Sequence, residues 1–160
     1  MGTLLTTAII SRFSQPVWVE VPEVCPGAKF LLLPITRTKL QQYARKFNIC
    51  QECGGSGLVS LREQSQNGEI TAERGREICP RCKGRSANSW GDYEVRLHIV
   101  RDMVHNWEGL KAVDPDTQEE TAVEYSDDVR DALAETAAFD VLFEKAIQLA
   151  VKREEQAGKA

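Results

Sequence analysis

Four of the five cysteines fall in two Cys-x-x-Cys pairs, Cys50-Gln51-Glu52-Cys53 and Cys79-Pro80-Arg81-Cys82. Two residues between ligands let one turn present both sulfurs to one ion, so two such pairs complete a tetrahedral shell. A shell filled by thiolates has no position open for water, which predicts one structural Zn2+ rather than a hydrolytic centre. The alternative chemistry is a redox couple, which needs one pair at a strand-to-helix junction with a lowered thiol pKa; here two pairs bracket a polar segment. Cys25 is left over. An odd thiol count in a reducing compartment favours metal binding over a disulfide framework.

The residues around the pairs fit the same chemistry. Gly54, Gly55 and Gly57 after the first pair, and Gly84 after the second, permit the close approach that backbone N–H groups need to donate to sulfur. The 25 residues between Cys53 and Cys79 exceed the commonest ribbon spacing, so they are expected to form a hairpin or a short helix. Asn67-Gly68 is a suitable hairpin turn. Metal binding of about 10–16 kcal/mol, as in small zinc modules, would order a segment with almost no core of its own.

Other chemistry is less supported. His98 and His105 lie seven apart, on roughly one face of an expected helix, without carboxylates at ligand spacing, and read as packed or surface residues. Arg76, Arg81, Lys83 and Arg85 make a basic patch of the kind zinc ribbons turn toward nucleic acid, but Glu63, Glu69, Glu73 and Glu77 largely cancel it. Gly54-Gly55-Ser56-Gly57 is not followed by the Gly-Lys-Ser/Thr of a phosphate loop. No nucleophile elbow, zinc-protease helix or dinucleotide fingerprint occurs, so no enzymatic activity is expected.

The elements that must position these residues are read from periodicity. Ala8–Phe13 and Val17–Val21 read as strands and Phe30–Leu33 as a third apolar run. Thr36 or Thr38 can cap a helix carrying Leu40, Tyr43, Ala44 and Phe47, which leads into Cys50. Beyond the cysteines, Trp90, Tyr93, Leu97, Val100, Val104 and Trp107 recur at three- and four-residue steps and predict one long helix, with Ser89 and Asp92 as a capping box. Val95 and Ile99 then fall on its opposite face, so both sides should be covered. Asp114-Pro115-Asp116-Thr117 is a turn between extended Leu110–Val113 and Thr121–Tyr125. Ser126, followed by Asp127 and Asp128, caps a helical tail whose Phe139, Leu142, Phe143, Ala146, Ile147 and Ala150 share a face, and the last residues read as solvated.

Composition limits the rest. A chain of 160 residues, 42% hydrophobic and 28% charged, is that of one soluble domain with an insertion. Met1–Phe47 carries six Lys/Arg against two acids, whereas Asp114–Ala160 carries five against thirteen, so a general nucleic-acid binder is not expected. The Thr- and Ser-interrupted N-terminus is neither signal peptide nor membrane span, which predicts a cytoplasmic protein. Gly2 and Thr6 match a myristoylation pattern that is too short to carry weight.

Cys50-Gln51-Glu52-Cys53-Gly54-Gly55-Ser56-Gly57 resembles the C-x-x-C-x-G-x-G repeat in the zinc region of DnaJ-type co-chaperones, and Cys79–Arg85 is similar to a second repeat, with Ser86 at the last glycine. Only two of four repeats are present and no His-Pro-Asp signature occurs, so what the resemblance implies is a zinc module able to touch extended polypeptide. A second resemblance covers more of the chain. Val17–Phe47, with GAKFLLLPITRTKLQQYARKF, the His105-Asn106-Trp107-Glu108-Gly109-Leu110 segment, the Asp-Pro-Asp turn and Ala122-Val123-Glu124-Tyr125-Ser126 resemble the small tail assembly proteins of tailed phages, with the cysteine segment inserted between the first and second helices. Those proteins are tail assembly chaperones, and the resemblance implies a partner in the apolar, helical tape measure protein or a tail tube subunit.

The expected fold is α+β: a small N-terminal β element and a helical body (1–48 and 86–160), with a zinc-ribbon or zinc-knuckle insertion over 49–85. The expected function is tail assembly chaperoning in the host cytoplasm, with possible homo-oligomers. Its candidate partner-binding residues are Trp90, Tyr93, Leu97, Val100, Val104 and Trp107 on one stripe, and Phe139, Leu142, Phe143 and Ile147 on the other. For each residue, packing in the domain core is the competing reading. Two alternatives remain: a structural tail or connector component of the virion that uses the zinc module as a subunit contact, and a zinc-ribbon adaptor on nucleic acid.

Overall fold

The computed structural model describes residues 15–64 and 70–159, with backbone alone described at 61–64 and 70–74. Two units emerge: residues up to Arg37 together with those from Arg96 onward, and Thr38–Val95. The unit that holds the cysteines is thus wider on both sides than the expected 49–85 insertion. With small sheets and four α-helices among the described residues, the fold is α+β.

In the first unit, strands β1 (Val17–Glu20), β2 (Lys29–Leu32) and β5 (Val104–Glu108) form an antiparallel sheet with β2 in the centre. Phe30 and Leu32 of β2 point to the buried side, as a period-two pattern requires. Phe30 pairs with Trp107 across the sheet, their rings 6.2 Å apart. The β2–β5 register slips between Leu31 and Leu32: Leu31 opposes Asn106, but Leu32 opposes Val104. His105 is therefore the extra residue of a β-bulge. In a regular strand Val104 and Trp107 would face opposite sides; the bulge lets both be buried while His105 stays exposed.

That bulge corrects the expected long helix. The helix, α2, runs only from Tyr93 to Met103, and Val104–Trp107 is strand. No glycine or proline stops α2; pairing with β2 takes the β-branched Val104 and aromatic Trp107 out of the helix. The three-residue step from Val104 to Trp107 is helical in spacing only. Val95 and Ile99 are buried together with Val100 and Met103, so α2 is covered on both sides as expected. His98 and His105 share no helical face: His98 is 3.8 Å from the carboxylate of Asp102, and His105 Nε2 lies 3.1 Å from the Asp102 carbonyl. Ser89 precedes the helix by more than a cap position, but Asp92 still reaches back to accept from its N–H at 2.8 Å.

Gly109 closes β5 with φ +71°, and a side chain there would meet the Gly27 carbonyl at 2.7 Å, so only glycine lets the two backbones approach. The exposed hairpin of β6 (Lys111–Val113) and β7 (Glu120–Ala122) follows, its turn held by Asp114, whose carboxylate accepts from the N–H groups of Asp116 and Thr117. Those N–H bonds, Thr117 first, also hold the Asp114 carboxyl below its ordinary pKa. Trp107 ties the hairpin to the sheet: its indole N–H donates to the Val123 carbonyl at 2.8 Å, and its ring meets Tyr125 edge-on at 4.8 Å. Ser126 then caps α3 (Asp127–Ala132), accepting from Val129 N–H as the sequence predicts. A 3₁₀ turn, Leu133–Glu135, leads to α4 (Ala137–Gly158), which buries Phe139, Leu142, Ala146 and Ala150. The expected strand Ala8–Phe13, the turn Asn67-Gly68 and the Gly2/Thr6 pattern lie outside the described residues. Among the described residues no helix is long and apolar enough to cross a membrane.

Of the ten candidate partner-binding residues, Val100, Val104, Trp107, Phe139 and Leu142 are buried. They are core, because the sheet and helices need their apolar surface removed from water. Trp90, Leu97, Phe143 and Ile147 are half-buried, and Tyr93 is 48% exposed. Trp107→Ala is expected to cost about 3–5 kcal/mol in urea unfolding, and Tyr93→Ala no more than about 0.5. Equal effects would mean that Trp107 is a contact residue and not core.

Candidate metal centre

Helix α1 (Arg37–Lys46) delivers the first pair. Its last turn carries Arg45 and Lys46, cations at the negative end of the helix dipole. Asn48 then adopts φ +53°, and Ile49 N–H donates to the Ala44 carbonyl at 2.8 Å, a left-handed stop that turns the chain into Cys50. The segment between the pairs is a hairpin, β3 (Leu58–Gln64) with β4 (Ile70–Ile78), which resolves the expected choice between hairpin and short helix. Cys79 N–H donates to the Gly57 carbonyl at 2.8 Å, so the hairpin ladder runs on until it brings the two pairs together.

The sulfurs of Cys50, Cys53, Cys79 and Cys82 all lie within 4.8 Å of one another. Cys50 Sγ is 3.8 Å from Cys79 Sγ, and Cys53 Sγ is 3.6 Å from Cys82 Sγ. Metal–sulfur bonds of about 2.3 Å in a tetrahedron put sulfurs about 3.8 Å apart. The donor set and its spacing therefore fit one tetrahedral metal ion. Cys25 lies apart, its thiol 3.8 Å from the Pro26 carbonyl and 3.9 Å from that of Gly109.

The electrostatics favour thiolate at one ligand and thiol at another until a cation arrives. Burial pushes the Cys53 thiol up, but the N–H groups of Gly55 and Gly57 and the neighbouring Cys82 and Cys50 thiols outweigh it and bring the pKa to about 7. The Gly57 N–H is 3.3 Å from the Cys53 sulfur. At Cys79, hydrogen bonds from the Cys82 and Arg81 N–H groups favour the thiolate. Burial together with the Cys50 and Cys82 thiols prevails and raises the pKa to about 11. A bound metal must displace at least the Cys79 proton, so affinity falls as pH falls.

Two residues that the sequence analysis did not assign to the site hold it shut. Ser86 Oγ accepts from Cys50 N–H at 3.1 Å and lies 3.0 Å from the Asn88 carbonyl and 3.2 Å from that of Asn48. Asn88 Nδ2 donates to the Phe47 carbonyl at 2.7 Å. The signal for Ser86 was its departure from the repeat: a glycine there could not bridge the Asn48, Cys50 and Asn88 backbones. Gly55 is the tightest point, with φ +92°, where a Cβ would lie 2.2 Å from the Asn88 carbonyl.

Comparison with protein-family models, with characterised proteins and with solved structures returns no match.

Replacing Cys50 and Cys79 together by Ser should abolish metal retention under reducing conditions and make Cys50–Arg85 the first site of limited proteolysis; a variant that keeps stoichiometric metal would refute the shared shell. Gly55→Ala, forced against the Asn88 carbonyl, should lose metal to a chelator at least about tenfold faster than Gly75→Ala. Gly75 also has a positive φ, +126°, but its Cβ would have nothing within 4 Å. Equal rates would mean that strain alone, and not the close approach, matters.

Proposed function

We propose that the four cysteines hold one zinc ion as a structural staple and that the chain is a binding protein rather than a catalyst. The observation that carries this is the donor set. Four sulfurs at tetrahedral spacing complete the shell of a metal that prefers soft ligands, and no coordination position is left for a substrate or water. Purified under reducing conditions, the protein should contain one zinc per chain and no visible absorption from iron.

The binding role we propose is tail assembly chaperoning, with the tape measure protein or a tail tube subunit as partner. Its support is the resemblance, together with the way the resembling residues meet. The Trp107 indole bonds the Val123 carbonyl just past the Asp114-Pro115-Asp116 hairpin and meets the Tyr125 ring just before the Ser126 helix start. These segments thus behave as one structural unit of the kind a shared fold would retain. The buried stripe is not available to a partner, so contact falls to exposed apolar side chains. Leu58 and Ile78 face each other across the hairpin, 42% and 66% exposed.

Co-expression with a tape measure protein, the long helical partner that the resemblance implies, tests the role. A partner that stays soluble and copurifies only when this chain is present, and is lost on Ile78→Glu, is the expected outcome. No effect on solubility, with the chain found instead in purified particles, would make it a structural virion component.

A further inference from the structure

Next to the sulfur cluster the Thr38–Val95 unit opens into a cavity of about 440 Å³, within the range of small-molecule sites. Arg45, Arg81 and Arg85 line it, with the side chains of Gln41, Asn48 and Gln51. Among the described residues no carboxylate lines the cavity, and none of the three arginines has an ion pair. Arginines left unpaired in one concavity are a receptor for an anion.

The three come from backbone that the cluster already fixes. Arg45 sits in the last turn of α1, just before the Asn48 stop. Arg81 lies between two of the sulfur ligands. Lys83 and Gly84, at φ +52° and +74°, fold the chain back so that Arg85 N–H donates to the Cys82 carbonyl at 2.9 Å and Arg85 returns to the same side. Ser86, the next residue, is latched to Cys50. Little backbone ordering is left to be done on binding, which is what preorganisation means for affinity.

Charge and valence identify the ligand. Four thiolates around a divalent ion leave about two negative charges, so the site keeps only about one net positive charge and the choice of ligand falls to the number of hydrogen-bond donors. A carboxylate would use one charge and two oxygens. A terminal phosphate brings about −1.5 to −2 charge and three acceptor oxygens, enough to engage three guanidinium forks at once. We infer that this groove binds a terminal phosphate group, carried by a free nucleotide or by the end of a single-stranded nucleic acid. The inference rests on the metal staple for its rigidity and not on the chaperone assignment.

The test uses the full chain with its metal content measured on the same sample. A nucleoside monophosphate is titrated by calorimetry, and a labelled oligonucleotide with or without a 5′-phosphate by anisotropy. Arg45→Gln and Arg85→Gln should each weaken binding about tenfold or more, whereas Arg76→Gln, on β4 and outside the groove, should change it less than about twofold. A mononucleotide as tight as the oligonucleotide identifies a free nucleotide; an oligonucleotide that binds tightly only with its 5′-phosphate identifies a nucleic-acid end; both support the site. Absence of binding at millimolar concentration overturns it, as does binding indifferent to Arg45 and Arg85, or hexaglutamate binding with the same arginine dependence in place of phosphate. Metal present without phosphate binding removes this inference alone. A chain without metal removes the staple, and phosphate binding to that chain, or its lack, still decides the groove.

Discussion

The contact between four sulfur atoms is the constraint on which the Thr38–Val95 unit depends. Among its described residues only Tyr43, Ala44, Ile49, Cys79 and Val95 are buried apolar side chains. That is far less core than a segment of this length needs to offset the entropy of ordering it. A metal bound by four thiolates would supply the deficit, because its binding free energy is folding free energy when the unfolded chain offers no preformed site. The Asn48 stop, the hairpin ladder and the Ser86 latch each carry only about 1 kcal/mol of net hydrogen bonding. Their effect is geometric: they bring sulfurs separated by 29 residues to within about 3.8 Å. Without the ion, four neighbouring thiols would be left, of which Cys79 is buried and resists ionisation.

The other unit has a different basis. Its centre is the aromatic junction of Phe30, Trp107 and Tyr125, where a sheet, an exposed hairpin and a helix start meet. The indole serves twice, with its ring taking up apolar surface and its N–H satisfying the Val123 carbonyl. The same side chain could not also offer a face to a partner, so Trp107, with Val100 and Val104, belongs to the interior. Arg96 adds to this economy. Its guanidinium lies 4.4 Å over the Phe139 ring while also bonding the Thr136 carbonyl and the Asp140 carboxylate.

What the sequence made legible followed the strength of the physical constraint. The metal ligands were readable because few spacings let two turns share one ion, and so were the Ser126 cap, the Asp114 turn and the first helix, each fixed by local chemistry. Val104–Trp107 was misread because a bulge places residues three apart on one buried side, which is also what a helix does; only the β2 partner separates the two, and it lies more than seventy residues away in sequence. The basic patch was read as cancelled because charges were counted along the chain. In space, Arg45 joins Arg81 and Arg85 from another element, and among the described residues no carboxylate lines the groove.

A metal whose shell is filled by protein has no chemistry to offer a substrate, so its output is position. Bound to the four cysteines, it would hold two surfaces in place. One is the exposed Leu58 and Ile78 pair where the hairpin leaves the cluster; the other is the groove of unpaired arginines beside Cys50 and Cys82. Leu58 and Ile78 together leave apolar surface in water, and the three arginines carry more charge than the cluster beside them would neutralise. Such costs persist where a ligand or partner relieves them. On the proposed readings, the cysteine module is the part of this protein that meets another molecule.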